Sequence, residues 1–97
     1  MDKKDKERVL NSYRKGLELV NLNKVKLLKE DTTFKYKNYE YHVKVGTYVI
    51  DDTDENIAKF LYINKLIDKL VQEKELTLRE VYYCANGTVR EKARNNE

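Results

Sequence analysis

Apolar residues follow a helical period at the start of the chain and a strand period after it. Val9, Leu10 and Tyr13 stand at helical spacing among charged neighbours, and Gly16 follows where a glycine commonly ends a helix. This pattern predicts a short leading helix over residues 5–16. From residue 17 apolar and polar residues alternate, which predicts strands. The alternating apolar positions are Leu17, Leu19, Val25, Leu27, Phe34, Tyr36, Tyr39, Tyr41, Val43 and Val45.

Two breaks divide the predicted strands. Lys37 and Asn38 separate two alternating runs, so we expect a hairpin turn near Asn38. Gly46 interrupts the pattern before a further short apolar run, Tyr48-Val49-Ile50, which suggests a bulge or a bend. The first half of the chain is therefore predicted to be a helix followed by short antiparallel strands.

A long amphipathic helix is predicted after the acidic segment 51–55. Acidic side chains favour the positive end of the helix dipole, and Asp or Thr can cap the helix there. Apolar residues then recur at three- and four-residue steps, with polar residues mostly opposite. The predicted core face consists of Ile57, Phe60, Leu61, Ile63, Leu66, Ile67, Leu70 and Val71.

A second helix is predicted to begin at Thr77, because Thr77-Leu-Arg-Glu80 has the sequence of a capping box. Asn86-Gly87 is its predicted end. Helical spacing predicts a core face of Leu78, Val81, Tyr82 and Ala85, and a neighbouring stripe of Arg79, Tyr83 and Asn86. The long helix, short link and capped short helix together form the first half of a helix-turn-helix-like unit.

Composition agrees with a small folded protein. Of the 97 residues, 40% are hydrophobic and 38% are charged, and the chain has no proline, which favours a folded protein over a disordered tail. The formal charge of +3 permits DNA binding without indicating it.

A single cysteine, Cys84, and a single histidine, His42, form no zinc-ligand set, so no metal site is assigned. The charged start and the absence of a long apolar run predict an intracellular chain without a membrane span.

The fold class predicted from these elements is α+β. Residues 1–50 would form an N-terminal helix and β-hairpin, and residues 51–97 would form a partial winged-helix domain. The helix-turn-helix-like unit ends before it supplies the further helix and strands that would cover its apolar face. We therefore expect this part to need a partner.

Tyr83 is the candidate nucleophile. A free phenol has a pKa of about 10, so it needs a cation or a metal ion to raise its ionised fraction at neutral pH. The guanidinium of Arg79, one helical turn earlier, would hold a phosphate or favour a phenolate. From the residues alone, adjacent tyrosines on a helix are more often packing groups. A structural role for Tyr82 and Tyr83 therefore stays open.

The segment Thr77-Leu-Arg-Glu-Val-Tyr-Tyr83, followed by Gly87, resembles the active-site motif of the DNA-cleaving subunit of DNA topoisomerase VI and of the related meiotic double-strand-break proteins. The resemblance extends upstream of this motif. It includes residues 39–46 and the predicted helix that begins with 56–60 and runs to Leu76, which are similar to the family's preceding segments. It therefore covers about the last six-tenths of the chain. It implies a winged helix in which Tyr83 attacks a DNA phosphodiester, becomes joined to the 5′ end, and is helped by Arg79.

The same resemblance implies partners that this chain does not contain. These are the Mg²⁺-binding Toprim remainder of the DNA-cleaving subunit, a second protomer and an ATP-driven ATPase subunit, in a cytoplasmic, nucleoid-associated complex. The residues expected to contact DNA are Arg79, Asn86, Arg90, Lys92 and Arg94. The carboxylates of Asp52 and Asp54 imitate part of a Toprim acidic pair, but their place at a helix start favours capping.

Departures from the family keep other functions open. The family's early proline-containing segment has no counterpart, and the stretch after Gly87 lacks the recognition helix and wing. The leading hypothesis is a split piece of the DNA-cleaving topoisomerase subunit that is inactive alone. The alternatives are a non-catalytic winged-helix-like module of a mobile element or host that binds DNA or a protein, and a plain interaction domain. Aromatic and basic residues also interleave over 34–41, which is more typical of an alternating strand than of a base-stacking surface.

Overall fold

The computed structural model describes residues 2–85, and for residues 82–85 it describes the backbone only. Three helices and four strands follow one another along this described part of the chain. They are α1 Lys3–Asn21, β1 Val25–Leu27, β2 Thr32–Tyr36, β3 Tyr39–Val43, β4 Tyr48–Ile50, α2 Asp54–Gln72 and α3 Leu78–Ala85. The predicted α+β class is confirmed, and the arrangement is consistent with a partial winged-helix-like fold.

Helix α1 continues past Gly16, so the prediction that it ends there is wrong. Gly16 is buried where α1 crosses α2, and a Cβ atom at this position would overlap the ring of Phe60. The glycine therefore permits a close approach of two helices. Because Leu17 and Leu19 belong to α1, the prediction that they begin the strand region is wrong as well.

The signal that ends α1 lies at Asn23. This residue adopts a left-handed conformation with φ 58°, which Asn tolerates better than most residues. The N–H groups of Asn23 and Lys24 donate to the carbonyl oxygens of Val20 and Leu19, at 3.0 and 2.8 Å. This is the hydrogen-bond pattern of a Schellman motif, and it satisfies carbonyl groups that the helix end leaves free.

The strands form two separate two-stranded antiparallel sheets, β2–β3 and β1–β4. Strands β2 and β3 pair with Tyr36 opposite Tyr39, which leaves Lys37-Asn38 as the turn and confirms the predicted hairpin. Strands β1 and β4 then pair on either side of the hairpin, with Leu27 opposite Tyr48. Gly46, at φ 88°, lies in the turn before β4, as predicted for a bend.

Helix α2 connects two hydrophobic clusters. Its N-cap is Thr53, whose Oγ1 accepts from the N–H of Asn56 at 3.2 Å. The helix ends at Gln72, where Lys74 takes a left-handed conformation, so it does not extend to Leu76. The sheet-side cluster contains Leu28, Phe34, Val49, Ile50, Ile57 and Ala58. The helix-side cluster contains Ile63, Ile67, Leu70 and Leu76, with Val9, Leu10, Tyr13 and Val81 packed against it.

The sheet-side cluster draws residues from both of the predicted segments. Phe34 and Ile50 come from residues 1–50, whereas Ile57 and Ala58 come from residues 51–97. The two segments therefore share a hydrophobic core in the described part of the chain. The boundary after residue 50 stays a prediction.

Candidate functional site

A capping box begins α3 and confirms the sequence prediction. The N–H of Glu80 donates to Oγ1 of Thr77 at 3.1 Å, and the N–H of Thr77 donates to Oε2 of Glu80 at 3.2 Å. Each side chain thus satisfies a backbone donor that the first turn of a helix leaves free. The box fixes the direction in which α3 leaves the loop after α2.

Glu80 also joins α3 to α1. Nζ of Lys6 donates to Oε1 of Glu80 at 2.9 Å, so the two carboxylate oxygens bind different parts of the structure. The hydrogen bond from Lys6, followed by that from the backbone N–H of Thr77, holds the pKa of Glu80 below its ordinary value. The carboxylate therefore acts both as a cap and as a link between two helices.

The predicted core face of α3 is wrong at Leu78, whose exposed fraction is 73%. Glu80 turns toward Lys6 on α1, and Val81 packs into the helix-side cluster. Leu78 shares a helix face with Val81 but is the first residue of α3, so the helix-side cluster covers that face at Val81 and not at Leu78. The predictions for Tyr82 and Ala85 concern side chains outside the described set.

The predicted DNA-cleaving residues are only partly described. Arg79 is exposed in the first turn of α3, and Tyr83 follows on the same helix four residues later. Positions four residues apart are neighbours on a helix surface. The side chain of Tyr83 lies outside the described set, as do the whole residues Asn86, Arg90, Lys92 and Arg94. The structure therefore places Arg79 and the backbone of Tyr83 on one helix, and the DNA-contact set stays a prediction.

Asp52 acts at the start of α2, where the sequence predicts capping. Its Oδ1 accepts from the N–H of Thr53 at 2.7 Å and from Nδ2 of Asn56 at 3.0 Å. The hydrogen bond from Asn56, and then that from Thr53, lowers the pKa of Asp52. Among the described side chains, no three of His, Cys, Asp or Glu come together as a possible metal site.

A second surface, not predicted as a site, lies between β3 and the C-terminal half of α2. It is a groove of about 360 Å³, which we call the tyrosine–lysine groove. The groove is lined by Tyr39, Tyr62, Lys65, Leu66, Asp68, Lys69 and Gln72. The ring centroids of Tyr39 and Tyr62 are 4.8 Å apart, and those of Tyr36 and Tyr62 are 5.1 Å apart.

Lysine side chains lie over the aromatic rings of this surface. Nζ of Lys65 is 5.7 Å from the ring centroid of Tyr39, and Nζ of Lys37 is 5.5 Å from that of Tyr36. Both distances fall in the range of cation–π attraction. The groove therefore combines flat aromatic surface with positive charge.

The aromatic strands are visible in the sequence, but the tyrosine–lysine groove is not. Three of the four interleaved aromatic residues, Phe34, Tyr36 and Tyr41, pack in or against the sheet-side cluster, and Phe34 is only 1% exposed. At the groove, the rings of Tyr36 and Tyr39 meet that of Tyr62 on α2. Lys65 and Lys69 follow Tyr62 by one and two turns on the same helix. The helical spacing of Tyr62, Lys65 and Lys69 could have shown from the sequence that they share one side of α2. Only the packing of β3 against α2 shows that Tyr39 lies beside them.

No family model, curated protein or solved structure matches this chain. No described helix is both long enough and apolar enough to cross a membrane. The functional proposals therefore depend on the chain's own residues, on the geometry above and on the motif that ends at Tyr83.

Proposed function

We propose that this chain is the nucleophile-bearing part of a DNA-cleaving assembly similar to topoisomerase VI, and that it is inactive without its partners. The observation that supports the proposal is the capping box of Thr77 and Glu80, which begins a helix at the first residue after the cap. That helix exposes Arg79 to solvent and carries Tyr83 one turn later. The motif therefore occurs on the kind of element that the resemblance implies.

The proposed reaction is a transesterification. Oη of Tyr83 attacks a DNA phosphorus, the bond from phosphorus to the 3′ oxygen breaks, and a 5′-phosphotyrosyl link forms. The phenol loses its proton and the departing 3′ oxygen gains one, so the number of phosphoester bonds is unchanged. Arg79 provides positive charge for the phosphate, where preorganised charge lowers the barrier most.

The remaining groups would come from partners. A Toprim-bearing protein would hold Mg²⁺, which stabilises charge on the attacking and leaving oxygens, and an ATPase subunit would couple ATP to opening of the DNA gate. We expect the isolated chain to have neither ATPase nor relaxation activity. Relaxation of supercoiled DNA by the purified chain in Mg²⁺ would contradict the proposal.

The decisive experiment measures the covalent adduct. Labelled DNA is incubated with the chain, a Toprim-bearing partner, an ATPase subunit, Mg²⁺ and ATP, and is analysed by denaturing electrophoresis. Tyr83→Phe removes the attacking oxygen and should abolish the adduct, whereas Tyr82→Phe should leave it. Arg79→Ala should slow adduct formation.

Circular dichroism is the control for folding of each variant. An adduct that persists in Tyr83→Phe, or that is lost in Tyr82→Phe alone, would contradict the assignment of the nucleophile. The non-catalytic module would then be the better hypothesis.

A further inference from the structure

We propose that the tyrosine–lysine groove binds single-stranded nucleic acid, with bases stacking on Tyr39 and Tyr62 and phosphates contacting Lys65 and Lys69. This proposal does not rest on cleavage by Tyr83, because it involves different residues on different elements of the fold. The groove is built from β3 and α2, whereas Tyr83 belongs to α3.

Aromatic surface is the first observation behind this inference. Tyr39 is 43% exposed, although one neighbour, Tyr41, stacks with it at 6.3 Å and another, Tyr62, contacts it at 4.8 Å. An exposed ring supported by other rings is a rigid platform, since little side-chain freedom remains to be lost on binding. Such platforms stack unpaired bases without regard to sequence, because every base has a flat face.

Charge is the second observation. Lys65 and Lys69 are one helical turn apart on the same side of α2, and both line the groove. Asp68 is the acidic residue among the lining side chains, so the groove has an excess of positive charge. A chain of phosphates complements that charge, and release of its counterions would add to the affinity.

Together the two features favour single strands over other polyanions. In a duplex the base faces are stacked on one another, so tyrosine rings in a groove cannot reach them. An acidic peptide would match the lysines but would leave the exposed ring of Tyr39 without a flat partner. A single strand supplies both a flat base and a phosphate at each nucleotide.

The test is fluorescence anisotropy with the purified full chain, without Mg²⁺, ATP or any partner, so a failure of the cleavage proposal does not affect it. The probes are labelled twelve-residue oligothymidylate, oligouridylate and a duplex of equal length. Both single strands should bind more tightly than the duplex. Tyr39→Ala and Tyr62→Ala should each weaken binding by about 5- to 100-fold, the range typical for loss of one stacking contact.

Conservative variants separate stacking from folding. Tyr62→Phe retains the ring and should bind as the parent does, while Tyr39→Leu retains apolar volume and should still weaken binding. Unchanged binding in Tyr39→Leu, with the thermal transition also unchanged, would overturn the proposal even if an alanine variant failed to fold.

Charge variants give a second, independent readout. Replacing Lys65 and Lys69 by Gln should reduce the slope of log affinity against log salt by about 1.4, since each contacted phosphate contributes about 0.7 for single strands. Lys59→Gln on the same helix is the matched control and should leave the slope nearly unchanged. Asp68→Asn should strengthen binding by removing a negative charge from the groove.

Two outcomes would reject single-stranded nucleic acid as the ligand. One is an affinity that no tyrosine substitution changes. The other is competition by a poly-glutamate peptide that is as strong as competition by unlabelled oligothymidylate, which would mean that the groove recognises charge alone and would favour an acidic protein partner.

Discussion

The starts of α2 and α3 are held by different kinds of interaction. At the start of α2, residues from three strands and the helix bury Phe34 and Ile57 to 1% and 0% exposure. Among the described side chains, α3 packs through Val81 and forms an ion pair from Glu80 to Lys6, a capping box closes its first turn, and Leu78 is exposed. Apolar burial fixes the start of α2, whereas polar contacts near the surface help to fix the motif-bearing helix. Substitutions should therefore differ greatly in cost between the two places.

The largest expected effect is at Phe34. Phe34→Ala removes an almost fully buried ring from the sheet-side cluster and should lower the free energy of unfolding by about 3–5 kcal/mol. Tyr48→Ala is the control, since Tyr48 is 67% exposed and should change stability by no more than about 0.5 kcal/mol. Denaturant unfolding followed by circular dichroism measures both. Equal costs at the two positions would contradict the distinction between core and surface.

A smaller effect is expected where α1 crosses α2. Gly16→Ala should destabilise the protein by about 1–3 kcal/mol, because the new methyl group overlaps the ring of Phe60 and outweighs the gain in helix propensity. Asn11→Ala, on an exposed position of the same helix, should instead be neutral or slightly stabilising. Combining Gly16→Ala with Phe60→Leu should recover part of the loss. If Gly16→Ala instead raised the free energy of unfolding, α1 and α2 would be able to move apart enough to accommodate the methyl group without loss of stability.

These residues also show how much of the fold the sequence could predict. Periodicity and capping residues were sufficient for the start and core face of α2, the hairpin and the capping box, because those signals are contained within a few residues. Gly16 was ambiguous, since a glycine suits both a helix end and a close helix crossing, and only the position of Phe60 distinguishes them.

The two candidate sites also differ in how much of each could be predicted from the sequence. The motif up to Tyr83 is contiguous and is visible in the sequence, whereas the tyrosine–lysine groove needs β3 to pack beside α2. Leu78 was misplaced although Val81 on the same face packs in the core, because helical spacing shows which residues share a face but not how far along that face the rest of the protein reaches.

An effect of about 1 kcal/mol is expected at the start of α3. Thr77→Ala removes the hydroxyl that accepts from the N–H of Glu80 and should lower the free energy of unfolding by that amount. Thr77→Ser retains the hydroxyl and should lose much less. Thermal unfolding of both variants measures the difference. An unchanged midpoint for Thr77→Ala would mean that the capping box does not contribute to stability.

The smallest expected effect is a dependence of stability on pH that arises at Glu80. Because its folded-state pKa is lowered from an ordinary value of 4.5, its contribution is present above that value and is lost as pH falls through the lower pKa. The advantage of the parent over Glu80→Gln should therefore shrink as the pH falls below about 4.5, and high salt should reduce it at neutral pH because the ion pair is partly exposed.

Replacing the partner tests the cause of that lowered pKa. Lys6→Gln removes the ammonium group that contributes most to it, so carboxyl titration by NMR should show the pKa of Glu80 moving back up. The pKa of Asp52 serves as the internal control, because its lowering depends first on hydrogen bonds from Asn56 and Thr53 and should persist. If Glu80 titrates at its ordinary value in the parent, Lys6 does not hold α3 in solution, and among the described contacts the capping box and the packing of Val81 remain to position the helix that carries Tyr83.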